Sequence, residues 1–375
     1  MQQEIYLHLI LAFVCACVIA FTLTPLVKRL AFAVGAVDRP GGRHIHKKPT
    51  ALLGGLAIFA GFLVSILLFA PMDRQLASTL AGALVIVIVS ALDDRFDLPP
   101  VLRLGVHVLA ALLPILWGGI RVEFLSGLGF GTSADYSLGW LSIPVTLIWI
   151  VGVTNAVNWI DGLDGLAAGV SGIAALSMLV ISCLLGNFYV ALILAALSGA
   201  VIGFIPHNLH PAKIFMGDTG AMFLGYMLAV MSIQGLFKFY VIVSFLVPFL
   251  VVGIPIIDMA MTIFRRIAHR QSPMHGDRAH VHHRLIDMGF TQRQTVAILY
   301  CISFILGISA VVMTVSGEIK AILLLFAVIL AAIFGVILIA KREQSPDDPE
   351  HMSEGDEQSE KPADSPENEE KHEEN

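Results

Sequence analysis

The sequence predicts an all-α polytopic membrane protein of about eleven transmembrane helices, and three observations carry that prediction. Hydrophobic residues make up 57% of the 375 and the mean hydropathy is +0.81, a balance that excludes an ordinary water-soluble domain. Uncharged runs long enough to cross roughly 30 Å of hydrocarbon recur along most of the chain. No water-soluble module interrupts them, so residues 1–342 read as one membrane domain.

The spans fall near 5–26, 52–71, 76–92, 101–119, 137–157, 165–184, 189–206, 219–236, 239–262, 294–315 and 321–340. Ten spans are the alternative, because only a Gly186-Asn187 turn divides the long run 165–212. The first segment is expected to be retained as a helix, since Met1-Gln-Gln-Glu4 lacks the positive charge of a signal peptide. Cys15, Cys17, Cys183 and Cys301 all lie inside predicted spans, with neither disulfide nor zinc-ligand spacing. Residues 343–375 hold 14 acids and 2 lysines, a net −12 without an apolar cluster, and are expected to be a disordered acidic tail. The remaining chain carries 21 Lys and Arg against 15 acids, a net +6 that the overall −6 conceals.

Eleven spans put the termini on opposite sides, and the positive-inside rule then chooses an orientation. With the N-terminus outside and the C-terminus cytoplasmic, 19 of the 23 Lys and Arg are cytoplasmic, leaving Arg74, Arg121, Lys238 and Lys320 outside. Ten of the 15 acids before the tail fall at or near the same face. That face is where chemistry is expected.

Asn155-Ala-Val-Asn158-Trp-Ile-Asp161-Gly-Leu-Asp164-Gly165 sets two amides and two carboxylates between uncharged runs. An ionisable group deep in hydrocarbon costs about 2.5–3.5 kcal/mol on insertion scales, so these groups need partners or a ligand. Their spacing of three suits half a helix circumference, while Gly162 and Gly165 allow a broken helix equally. Asp93-Asp94-Arg-Phe-Asp97-Leu-Pro99-Pro100 closes the third span, where adjacent carboxylates suit Mg²⁺ or proton transfer, or merely end a helix. Phe215-Met-Gly-Asp218-Thr-Gly220 opens the eighth; Asp218 caps a helix there or holds a metal, and Phe215 offers a stacking face. His275-Gly-Asp-Arg278-Ala-His280-Val-His282-His283-Arg284 gathers imidazoles and guanidiniums suited to phosphate, zinc being disfavoured by the absence of cysteine. Asp38 to Pro49, with Lys47 and Lys48 and followed by Gly54-Gly55, is a further basic loop. Together these residues suit a nucleotide diphosphate from the cytosol and a lipid phosphate from the bilayer, two anions that Mg²⁺ and cationic side chains would bring together.

In this order the motifs closely resemble the polyprenyl-phosphate N-acetylhexosamine-1-phosphate transferases. Asp93-Asp94 is similar to that family's paired aspartates, Asn155–Gly165 to its NxxNxxDGLDG motif, Gly217-Asp218 to its metal-site motif and His280-Val-His282-His283 to its histidine motif. The resemblance implies transfer of GlcNAc-1-phosphate from UDP-GlcNAc to undecaprenyl phosphate with release of UMP, opening a teichoic acid or similar envelope glycan. It implies Mg²⁺ dependence, with Mn²⁺ as a substitute, and a bacterial cell membrane enzyme whose site faces the cytoplasm. Carried over by position, Asp218 would be the principal Mg²⁺ ligand with Asn158 beside it, and Asp93 would orient or deprotonate the acceptor with Asp94 in support. Asn155, Asn158, Asp161 and Asp164 would bind the donor, Phe215 would stack on uracil, and Lys47 or Lys48 would reach the nucleotide. Arg278, His280, His282 and His283 would handle the pyrophosphate.

Arg95-Phe-Asp97 stands where the peptidoglycan-precursor branch has a lysine, and a spaced HxHH replaces three consecutive histidines. Both departures favour the GlcNAc branch over a phospho-MurNAc-pentapeptide transferase. An ion-coupled transporter is the rival from another class, although its site would lie near the midplane. A scaffold acting through the acidic tail is a third. No nucleic acid partner is expected; a homodimer is compatible with the sequence.

Overall fold

Eleven α-helices and two short hairpins make up the described residues of this computed structural model, which are 2–39, 49–126, 135–235, 249, 251–268, 280–316 and 326. The helices are α1 (Gln2–Val34), α2 (Gly54–Phe69), α3 (Arg74–Phe96), α4 (Pro100–Leu112), α5 (Ser142–Trp159) and α6 (Leu166–Leu184). They continue with α7 (Phe188–Asn208), α8 (Gly217–Gly235), α9 (Gly253–Ala268), α10 (Val281–Asp287) and α11 (Gln292–Ser316). Strands β1 (Val37–Asp38) and β2 (Thr50–Ala51) pair antiparallel, as do β3 (Phe124–Ser126) and β4 (Asp135–Ser137). The chain divides into a unit Met1–Leu325 and a second, Phe326–Asn375. Phe326 alone represents the latter among the described residues, so the tail expected over 343–375 lies outside them.

Among the described residues, seven helices are long and apolar enough to cross a membrane: α1, α3, α4 with its π-helical extension Leu113–Trp117, α5 with the preceding turn, α6, α7 and α11. Helix α2 is apolar but only 16 residues long. Of the ninth expected span, 239–262, only its second half is described, and the eleventh, 321–340, is outside apart from Phe326. The boundary between the sixth and seventh spans falls where expected. Helix α6 ends at Leu184, Gly186 turns with φ +70°, and the Asn187 side chain accepts from the Val190 N–H to cap α7.

Helix α8 is enclosed by its neighbours, every residue but Asp218 being buried, which is why it is apolar around its whole circumference. It packs against α3 and α5. Small residues let other pairs close tightly, above all α1 on α7. A Cβ at Gly203 would come within 2.2 Å of the Cys17 carbonyl oxygen. At one end of the bundle the last turn of α3, the first turns of α4 and α8, the α5–α6 turn and helix α10 converge.

Candidate active site

Asp93 and Asp94 are neighbours on a helix, about 100° apart, and so face different partners. Asp94 turns toward α8. Its carboxylate accepts from the Asp218 N–H (2.8 Å), the Thr219 N–H (3.2 Å) and the Thr219 hydroxyl (2.6 Å). The first N–H groups of a helix have no partner within it, and here a carboxylate from another helix serves them. Gly217 is required at this approach, because a Cβ there would meet the Asp94 Oδ2 at 2.5 Å.

Asp93 is buried and turns toward α4. One oxygen accepts from the Leu98 N–H (2.7 Å) and the other from Arg103 Nη1 (2.9 Å). The same Nη1 reaches Asp218 Oδ2 at 3.1 Å, so one guanidinium joins the carboxylates of α3 and α8. The other Asp218 oxygen accepts from the Asn158 amide at 2.9 Å. Asn158, expected beside Asp218 as a metal ligand, therefore presents it with a donor.

Between α5 and α6 the chain breaks rather than continuing as helix. Helix α5 stops at Trp159 and Gly165, at φ +78°, precedes α6. Asn155 and Asn158 thus stay on α5, whereas Asp161 and Asp164 sit in the turn. Asp164 accepts from His210 Nδ1 (2.8 Å) and from the Ala212 N–H (3.1 Å), pinning the turn to the segment before α8. The Asp161 carboxylate has no hydrogen-bond partner among the described residues. Desolvation, then the negative charge of Asp218, Asp94 and Asp164, pushes its pKa up to about 8.

These groups line a cavity of about 1080 Å³ that also receives Phe215, Asp38, Asp97, His283 and Gln292. A second cavity of about 730 Å³, largely apolar, lies between α4, α5 and α9. Arg103 and Asn158 line both. Asn155, grouped by sequence with the donor-binding residues, faces the second cavity alone; its amide donates to the Val151 carbonyl (2.7 Å) and meets His107 Nδ1 at 3.3 Å.

The histidine motif divides in the same way. His283 lines the polar cavity and His280 the apolar one. His282 is buried against Gly162, where a Cβ would come within 2.3 Å of its Nε2. Burial, then His283 and His280, lowers its pKa to about 3, and its buried Nε2 has no hydrogen-bond partner among the described residues. Lys47, Lys48 and Arg278 lie outside the described residues.

Among the described residues, no three acidic, imidazole or thiol groups form a ready metal cage. Mg²⁺ does not need one, being held commonly by one or two carboxylates, waters and substrate phosphates. Asp218 and Asp161, the latter without a hydrogen-bond partner among the described residues, line one cavity and are the carboxylates that would hold it.

Comparison with known proteins agrees with the motif order. Residues 76–236 match the family described as glycosyl transferase family 4. A Bacillus subtilis protein described as a probable undecaprenyl-phosphate N-acetylglucosaminyl 1-phosphate transferase is 36% identical over 343 residues, covering 90% of this chain and 95% of its own. The chain belongs to this transferase family. Decaprenyl-phosphate N-acetylglucosaminephosphotransferase of Mycolicibacterium smegmatis is 33% identical, over 76% of this chain and 77% of its own. Undecaprenyl-phosphate alpha-N-acetylglucosaminyl 1-phosphate transferase of Yersinia pestis is 29% identical, over 76% and 79%.

Arg103 was not among the residues singled out from the sequence of this family member. Its signal was a lone guanidinium inside an apolar span, ten residues after Asp93, which the positive-inside rule absorbed as topology. His210 was missed because its partner Asp164 is 46 residues away.

Proposed function

We propose that the protein transfers GlcNAc-1-phosphate from UDP-GlcNAc to undecaprenyl phosphate at the cytoplasmic face of the membrane, releasing UMP. This is the first lipid-linked step of a cell-envelope glycan such as teichoic acid. The observation that carries the reading is the meeting of a polar cavity and an apolar cavity at Arg103 and Asn158. A water-soluble nucleotide suits the first and a polyprenyl chain the second, so their phosphates would meet at the shared wall.

In the proposed reaction a phosphate oxygen of undecaprenyl phosphate forms a bond to the sugar-bearing phosphorus of the donor. The bond from that phosphorus to the bridging oxygen breaks, and UMP leaves with the electron pair. Arg103, held by Asp93 and Asp218, is the cation that would receive the acceptor phosphate. Both Asp93 oxygens are engaged and Asp94 is spent on the α8 N-terminus. Those bonds favour a single displacement over a phosphorylated aspartate. The acceptor phosphate has a second pKa of about 6 and needs no strong base. Mg²⁺, when bound by Asp218 and Asp161, would neutralise donor charge and lower repulsion between the two phosphates.

The test is a donor panel given to the purified protein with undecaprenyl phosphate and Mg²⁺. Lipid-linked product from UDP-GlcNAc, and none from UDP-MurNAc-pentapeptide, supports the assignment. The reverse selectivity, or no lipid product from any donor, overturns it.

A further inference from the structure

Helix α11 supplies nothing to the proposed transfer itself, yet it touches both segments joined by the Asp164–His210 contact. Its first residue, Gln292, lines the polar cavity. About two turns on, the Tyr300 hydroxyl donates to the Gly165 carbonyl at 2.5 Å. Gly165 follows Asp164 and opens α6. The same carbonyl accepts from the Gly169 N–H at 2.9 Å, so both its lone pairs are used. The Tyr300 ring sits in a slot floored by glycine: a Cβ at Gly169 would stand 2.0 Å from its Cζ, and one at Gly165 3.3 Å from its Oη. Across the Asp164–His210 contact, Arg293 Nη2 reaches the His210 carbonyl at 3.5 Å. Arg293 and Tyr300 are seven residues apart and so share one face of α11. That face thus holds the neighbour of Asp164 with one side chain and His210 with another, while Asp164 and His210 hold each other at 2.8 Å. The turn that Tyr300 touches carries Asp161 and Asp164, both of which line the polar cavity.

We propose that Tyr300 is a positioning residue of the donor site. Through the Gly165 carbonyl it fixes the turn that carries Asp161 and Asp164, and Arg293 steadies the facing His210 segment. This rests on the transferase reading and deepens it, because it gives a late spanning helix a part in nucleotide-sugar binding. Tyr300 touches neither substrate and acts through the two aspartates. Acceptor binding is indifferent to it, since among the described residues none from α11 lines the apolar cavity.

Tyr300→Phe keeps the ring in its slot and removes only the hydroxyl, so it is the decisive variant. In steady-state kinetics with each substrate varied separately, it is expected to raise donor KM about 3- to 10-fold, the worth of one neutral hydrogen bond. Acceptor KM should change less than about twofold. A merely structural Tyr300 would lower the fraction of active enzyme and hence kcat, with both KM values unmoved. That result, an equal rise in both, or no change at all overturns the proposal. Gly169→Ala pushes a methyl group into the ring and should raise donor KM at least as much. The Gly169→Ala/Tyr300→Ala double variant should be no worse than Tyr300→Ala alone, because the clash has lost its partner; additive losses contradict the slot. UDP titrated calorimetrically, with Mg²⁺, into full-length protein in detergent separates this claim from the transferase reading. Weaker UDP binding by Tyr300→Phe than by wild type supports the positioning role, and equal binding contradicts it. A wild-type protein that binds UDP but makes no lipid-linked product would instead contradict the transferase reading.

Discussion

At the scale of single residues, Arg103 decides whether the carboxylates of α3 and α8 coexist. It satisfies Asp93 and Asp218 with one nitrogen, and removing it leaves like charges facing each other at the cavity wall. Arg103→Met is expected to lower kcat/KM at least about 100-fold, and Arg103→Lys to recover part of it, a point charge replacing a planar fork. Near-wild-type turnover in Arg103→Met would refute this role. Asp161 makes a separate statement through pH. Its pKa in the folded protein, about 8, exceeds the usual carboxylate value of 3.8. Between these values the folded state binds more protons than the unfolded one, so the group's contribution to stability falls as pH rises from about 4 to 8. Without divalent cations the unfolding temperature should decline over that window. Mg²⁺ should raise it, more at pH 8 than at pH 6, because proton and cation compete for one carboxylate. Asp161→Asn should flatten both trends in thermal scans. A slope unchanged by this substitution would rule out Asp161 as its source.

At the scale of elements, Asp94 shows one helix completing another. Its three bonds place the α8 N-terminus, and with it Asp218, against α3. Asp94→Ala is expected to cost about 1–3 kcal/mol of stability, as for a buried donor set left unserved, and to abolish turnover by releasing Asp218. Unfolding and activity measured on one preparation check both. Helix boundaries were legible because punctuation is local: Asp97-Leu-Pro-Pro ends α3 and starts α4, and Gly186-Asn187 separates α6 from α7. Which cavity each polar group faces was not. Asn155 and Asn158 look equivalent at a spacing of three, yet only Asn158 reaches Asp218, because facing depends on how α5 packs on α8. Contacts such as Asp164 with His210 depend on packing between segments distant in sequence, and local spacing carries no trace of them.

For the whole molecule, the bundle brings a polar cavity and an apolar cavity to one shared wall. Polar motifs spread from residue 93 to residue 283 meet there, although none is next to another in the chain. Their order was readable from the sequence, and with it the family; the division of the histidine motif needed the fold. The central claim is that phosphorus moves from a nucleotide sugar to a lipid phosphate across that wall. The most direct measurement uses purified protein and UDP-GlcNAc labelled in the sugar-bearing phosphate, with undecaprenyl phosphate in excess. Label passing into the lipid fraction in one-to-one proportion to UMP, and lost in Asp218→Asn, is the predicted result. Label remaining water-soluble, or UMP appearing at the same rate without the lipid, would contradict it.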